Sequence, residues 1–153
     1  MSELIQPIAS LRNSVCSILR IHLKREKHKK KGVRREFEIA LVGSSLCVVR
    51  NRFLLTAHHI LNGGKPRDHN DKFHAFIVPD NGPVAYDFPV SSFVFEDVAL
   101  DFDILELGTQ TKHQQEILPA PITFRNLCDG TKVFTYGFPS PSIAKAQIDE
   151  NLN

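Results

Sequence analysis

Short runs of apolar residues, separated by turn-forming residues, make up most of this 153-residue chain. Several runs alternate loosely between apolar and polar side chains, and no sustained helical periodicity precedes residue 110. The predicted strands cover residues 15–23, 37–42, 46–49, 53–56, 73–78, 86–90 and 104–107. The segments between them are rich in Gly, Pro, Asn and Asp, and Gly43-Ser44-Ser45 is predicted to be a turn. Short strands with frequent turns predict an all-β sandwich or barrel.

The chain divides into four predicted segments. Residues 1–11 form an N-terminal arm, and residues 12–110 form the β-rich unit. Residues 111–120 are predicted to be a linker. Residues 121–153 begin a second β unit with a strand at 132–136, and their polar end, 142–153, has weak helical character.

Composition indicates a globular protein, since 42% of the residues are hydrophobic and 24% are charged. A net charge of +2 gives no bulk indication of a nucleic-acid partner. The basic run 24–35 is interpreted as a solvated hairpin tip, with a site for nucleic acid or acidic surfaces as the alternative. No signal peptide or membrane-length apolar run is present, which predicts a cytoplasmic protein without a membrane partner.

Two segments of the sequence carry candidate catalytic residues. The strand 53–56 runs into Thr56-Ala57-His58-His59, where small residues allow a sharp turn that exposes an imidazole at the rim. A general base needs this anchored but open position. An acidic residue such as Asp101, just ahead of the strand 104–107, can accept the proton on one ring nitrogen and fix the tautomer. His58 and His59 as metal ligands lack a third ligand of matching spacing, so no metal site and no cofactor are predicted.

These motifs resemble those of the trypsin-like, chymotrypsin-fold serine peptidases, in their disulfide-free intracellular-type branch. The family pattern is a Gly-Ser-rich strand followed by an apolar pair and Thr-Ala-x-His, here Gly43-Ser44-Ser45 and Leu54-Leu55-Thr56-Ala57-His58-His59. The resemblance assigns the catalytic histidine to His59. Ile60 stands where secreted relatives place a cysteine, in agreement with a reducing compartment. The chain's three cysteines, Cys16, Cys47 and Cys128, are interpreted as small buried hydrophobes.

The catalytic aspartate is assigned by the same resemblance to Asp101, in Asp101-Phe102-Asp103-Ile104-Leu105-Glu106-Leu107. Asp103 departs from the family pattern, which has a small residue there, so Asp103 and Asp97 stay open as alternatives. Gly137-Phe138-Pro139 resembles the end of the strand that opens the family's second barrel. The implied fold is a trypsin-like antiparallel β-barrel pair, with the first barrel complete and the second truncated.

The serine nucleophile of the resembled family has no counterpart in this sequence. No Gly-Asp-Ser-Gly-Gly stretch occurs, and Ser140 and Ser142 lie beside prolines without a glycine-rich turn. The implied function is a serine endopeptidase acting on protein or peptide substrates, inactive as this chain alone, with the C-terminal half supplied elsewhere. The alternative is a non-catalytic, protease-like module that binds protein or peptide. A cysteine nucleophile at Cys128 would fall too early in the second barrel.

Overall fold

The computed structural model describes residues 11–62, 68–77, 86–108, 116–122, 126–130 and 142–151. Its strands are β1 (Val15–Lys29), β2 (Gly32–Val49), β3 (Phe53–Thr56), β4 (Asp71–Ile77), β5 (Tyr86–Asp97), β6 (Phe102–Leu107) and β7 (Ser142–Asn151), and its helix is α1 (His58–Asn62). This content confirms the all-β prediction. Helix α1 was not predicted, because five residues are too few to show a helical period.

Six of the strands form one antiparallel sheet that closes into a ring. The order is β1-β4-β5-β6-β3-β2, and pairing between β1 and β2 closes it. Closure leaves these strands with few unpaired edges. The seventh strand, β7, pairs with residues 32–41 of β2 and extends the sheet beyond the ring.

Apolar side chains on the inner faces of the strands form the core. Along β6, Leu105 and Leu107 alternate with more exposed residues, and Phe73 and Ile77 do so along β4. Phe88 from β5 is fully buried among them. This two-residue period is what a sheet with one buried face requires. Asp103 shares the inward register of β6, although it is charged.

Strand β2 is continuous through Gly43-Ser44-Ser45, so the turn predicted there is wrong. The two strands predicted on either side are one strand. The register with β1 shifts between the pairs Ile18↔Gly43 and Leu19↔Leu41, which leaves one extra residue on β2. A β-bulge of this kind bends a strand without ending it, so residues typical of a turn remain within the sheet.

The basic run 24–35 forms a hairpin as predicted, but its arms are paired strands, with a bulge at Lys24, up to a two-residue turn at Lys30 and Lys31. Acidic residues within the hairpin hold the arms together. Lys24 Nζ lies 2.5 Å from a carboxylate oxygen of Glu38, and Arg35 Nε donates to Glu26 at 2.7 Å. These pairs offset part of the repulsion among the like charges.

The prediction for the C-terminal residues 142–153 differs from the structure. The weak helical character predicted for 142–153 is wrong for residues 142–151, because they form β7. This strand joins the sheet that contains the six-stranded ring. The strand predicted at 132–136 and residues 111–115 of the predicted linker lie outside the described residues. In the described part of the chain, no helix is long and apolar enough to cross a membrane.

The cysteine prediction holds for two of three residues. Cys16 and Cys47 are buried, whereas Cys128 is exposed. Burial raises the pKa of the Cys16 thiol to about 12, and the neighbouring Cys47 adds to this shift.

Candidate functional site

His59 lies on α1, directly after the short strand β3. Leu54 anchors β3 in the core, and the hydroxyl of Thr56 donates a hydrogen bond of 2.8 Å to the carbonyl oxygen of Ser44 on β2. This bond fixes the end of the strand where the chain turns into the helix. The side chain of His59 is 66% exposed. The imidazole therefore projects from a rigid support into solvent, as the sequence predicts.

Asp101 is the carboxylate that meets His59. Its Oδ2 lies 2.6 Å from Nδ1 of His59, and its Oδ1 accepts the backbone N–H of His59 at 2.9 Å. The contact expected between these two side chains is therefore present. The backbone N–H of His59, followed by its side chain, lowers the pKa of the Asp101 carboxyl. Asp101 is thus ionised at neutral pH.

The backbone of Asp101 is also unusual. Its φ of 55° lies in the left-handed region, which aspartate tolerates better than most residues. In this conformation its carbonyl oxygen accepts the backbone N–H of His58 at 3.2 Å. One residue thus contacts the start of α1 through its main chain and its side chain, which ties the β5–β6 turn to the helix.

The other two candidate aspartates have different partners. Asp97 Oδ1 accepts the backbone N–H of Leu100 at 2.9 Å, within the turn between β5 and β6. Asp103 is fully buried, and both of its carboxylate oxygens face Nδ1 of His58, at 2.9 and 3.0 Å. Neither Asp97 nor Asp103 contacts His59 in the described residues. Of the three alternatives, the structure brings only Asp101 to His59.

The pair His58–Asp103 was not predicted, nor was Glu96, whose carboxylate lies near both. Glu96 is the register partner of Asp103 across β5 and β6. The only sequence signal for this cluster is a charged residue, Asp103, at an inward position of an apolar strand. Glu96 lies 38 residues from His58, and no local spacing links them.

Two other histidines contact aspartates through Nδ1 at 2.7 Å, His22 with Asp71 and His74 with Asp87. Such a contact is therefore not distinctive in this protein. His59 differs from both because its partner also accepts the histidine's own backbone N–H. The result is a histidine held in one orientation by two bonds to a single carboxylate.

This arrangement determines what His59 can do chemically. An ionised carboxylate only accepts hydrogen bonds, so Nδ1 of His59 donates to Asp101. In the neutral imidazole, Nε2 is then left as a proton acceptor. Among the described residues, no hydroxyl hydrogen-bonds to His59; the buried hydroxyl of Ser45 donates to the carbonyl oxygen of Cys16 at 3.4 Å. Ser140 and the side chain of Ser142 are not among the parts of the chain that the structure describes.

A cleft of about 350 Å³ adjoins Asp101, which lines it together with residues such as Ser44 and Ala57. The turn beside it exposes two large apolar side chains, Val98 at 74% and Leu100 at 71%. Single exposed apolar side chains are common, but neighbouring ones can form a surface that contacts another chain segment. Asp101 itself is 47% exposed, so the pair is open on the side of the turn.

No family model matches this chain, and no curated protein matches it. The assignment of the site therefore depends on the residues and their geometry.

Proposed function

We propose that His59 and Asp101 are the general base and its orienting carboxylate in a trypsin-like serine endopeptidase, and that the six-stranded ring is the first barrel of that enzyme. The observation that carries this proposal is the double contact of Asp101 with His59, through the backbone N–H and through Nδ1. A base that removes a proton from a serine must keep one tautomer and one orientation. The two bonds impose both.

The conformation of Asp101 supports the same proposal. A non-glycine residue at positive φ costs free energy that its surroundings must offset, and such residues cluster at active sites. Here the left-handed backbone is what lets the carbonyl oxygen and the carboxylate of one residue reach α1 together. A carboxylate needed only for solubility would not require this arrangement.

In the proposed reaction, Nε2 of His59 takes the proton of a serine hydroxyl as that oxygen attacks the peptide carbonyl. The imidazolium then forms beside Asp101, whose negative charge stabilises it. His59 afterwards gives the proton to the leaving amine. The described residues supply the base and the carboxylate, so the proposal requires a serine and an oxyanion hole from another part of the protein or from a partner.

The open cleft fits this requirement. A segment that carries a serine would lie against the side where Asp101 and the cleft are exposed, and would cover Val98 and Leu100. Removing water from the pair would strengthen the attraction between the imidazolium and Asp101.

The second candidate function is a protease-like module that binds protein or peptide without cleaving it. The exposed Val98 and Leu100, together with the absence of a hydroxyl partner for His59 among the described residues, favour it. The two functions differ in whether a Gly-x-Ser-Gly-type motif accompanies this chain. The reading frame around the 153 residues should therefore be sequenced first.

The catalytic test uses the protein that includes such a motif. Asp101→Asn keeps the side-chain shape but removes the charge and favours the wrong tautomer, so kcat for a peptide substrate should fall by about 10³–10⁴-fold. The matched control is Asp87→Asn, which alters the His74–Asp87 contact of similar length and should leave kcat within about twofold. Equal activity of both variants would contradict the proposed dyad. The lack of any serine motif would favour the binding module.

A further inference from the structure

We propose that His58, Glu96 and Asp103 form a binding site for a divalent transition-metal ion of the zinc class. The three side chains come from α1, β5 and β6. One ligand atom from each lies within 4.8 Å of the other two. This site is separate from the His59–Asp101 pair, and its existence does not depend on the proposed function.

The state of Asp103 is the first argument. Its carboxylate is fully buried, and a buried charge is stable only when it is well compensated. Both of its oxygens face the same atom, Nδ1 of His58, at 2.9 and 3.0 Å. A single N–H cannot satisfy two carboxylate oxygens, which together offer about four lone-pair positions. Asp103 therefore has unused acceptor capacity that faces the imidazole.

Glu96 provides the second argument. It is paired with Asp103 across the sheet, so two carboxylates stand side by side on neighbouring strands. Like charges directly opposite one another destabilise a sheet. A divalent cation between the two carboxylates and the imidazole would remove this repulsion and would use the free lone pairs of Asp103.

The donor set indicates the class of ion. One imidazole nitrogen and two carboxylate oxygens suit Zn²⁺, whereas Ca²⁺ requires six to eight oxygen ligands. Two ligands at about 2.1 Å from a tetrahedral ion lie about 3.4 Å apart. Nδ1 of His58 and Oδ1 of Asp103 are 2.9 Å apart and would separate slightly when the ion replaces the shared proton. Glu96 is exposed and completes the site from the solvent side, which leaves a fourth position for water.

A bound ion would join α1 to β5 and β6, so binding should stabilise the fold. After treatment with a chelator, the chain is titrated with Zn²⁺, and heat of binding and thermal unfolding are measured. We expect one equivalent to bind tightly and to raise Tm. Co²⁺ in the same site should show the visible absorption of a tetrahedral complex.

Glu96→Gln is the decisive variant, because an exposed side chain can be changed with little effect on the metal-free fold. Its metal-free Tm should equal or slightly exceed that of the unaltered chain, because the change removes the repulsion from Asp103. Its affinity for Zn²⁺ should fall by at least about 100-fold, the upper end of the loss caused by removing an outer-shell partner alone. The matched control is Asp87→Asn, at a His–Asp contact for which the described residues offer no third metal-ligating side chain, and it should bind Zn²⁺ normally. Lack of stoichiometric binding, or unchanged affinity in Glu96→Gln, would overturn the proposal. Loss of binding in Asp87→Asn would assign the ion to a surface histidine instead.

Discussion

Gly43 allows strand β2 to pass close to the helix that carries His59. A Cβ atom added at this position would lie 2.6 Å from Cδ1 of Ile60 and 3.3 Å from its Cβ. Both contacts oppose the added methyl group, because a β-branched side chain has few alternative rotamers for Cδ1 and the Cβ atom is fixed to the backbone of α1. We therefore expect Gly43→Ala to push α1 outward and to lower the free energy of unfolding by about 1–3 kcal/mol, the usual range for overpacking.

Thermal unfolding measures this effect. For a chain of this length, about 2–4 °C of Tm corresponds to 1 kcal/mol, so Tm should fall by about 2–12 °C. Gly108→Ala is the control, because its nearest neighbour, the carbonyl oxygen of Pro89, would be at an ordinary 3.4 Å. Ile60→Val removes the clashing Cδ1 atom. The double variant Gly43→Ala/Ile60→Val should thus lose about 1 kcal/mol less than the sum of the single variants.

The same variant tests whether packing positions the site. Because α1 carries His59, the ring resonances of His59 should shift in Gly43→Ala, whereas those of His74, on β4, should not. The reasoning is refuted if Gly43→Ala unfolds at the same temperature as the unaltered chain. It is also refuted if Ile60→Val does not reduce the loss, since the contact with Ile60 would then not be its cause.

Two further predictions concern the core. A thiol reagent at pH 8 should modify only Cys128 in the folded chain, with Cys16 and Cys47 reacting after unfolding, because both are buried. The folded pKa of Cys16, about 12, exceeds its ordinary value of 9.0, so the folded state binds more protons above pH 9. Stability should fall between those pH values, and less steeply in Cys16→Ala; equal slopes would contradict the assignment. Leu105→Ala, at a fully buried position, should cost about 2–5 kcal/mol in denaturant unfolding, whereas Leu100→Ala, at 71% exposure, should cost under about 0.5 kcal/mol.

Local patterns predicted much of the ring. Strand β3 occurs at the predicted residues 53–56. Its bounds could be predicted because a tight connection at 50–52 precedes a short apolar run. The predictions failed where tertiary pairing overrides local composition. A bulge absorbs Gly43-Ser44-Ser45 into β2, and pairing with β2 makes a strand of the polar residues 142–151. Both outcomes depend on partners that are distant in sequence.

The site was predictable in part for a similar reason. The residues next to His59 in sequence were enough to predict its position. The three candidate aspartates, however, lie within one stretch of seven residues, and spacing alone could not show which of them contacts His59. The left-handed backbone of Asp101 and the inward register of Asp103 separate their roles. His58 meets Asp103 because Thr56, two residues before His58, is the register partner of Asp103 across β3 and β6, and no local pattern specifies that register.

Labelling with a fluorophosphonate probe shows whether His59 acts as a general base toward a serine. The 153-residue chain should not label, since no described hydroxyl contacts His59. The protein that includes a serine motif should label, and so should its His74→Ala variant, whereas His59→Ala should label at least about 10³-fold more slowly. Labelling of the 153-residue chain that His59→Ala abolishes would show that its nucleophile lies within these residues. Labelling of the longer protein at an unchanged rate in His59→Ala would show that His59 is not the base.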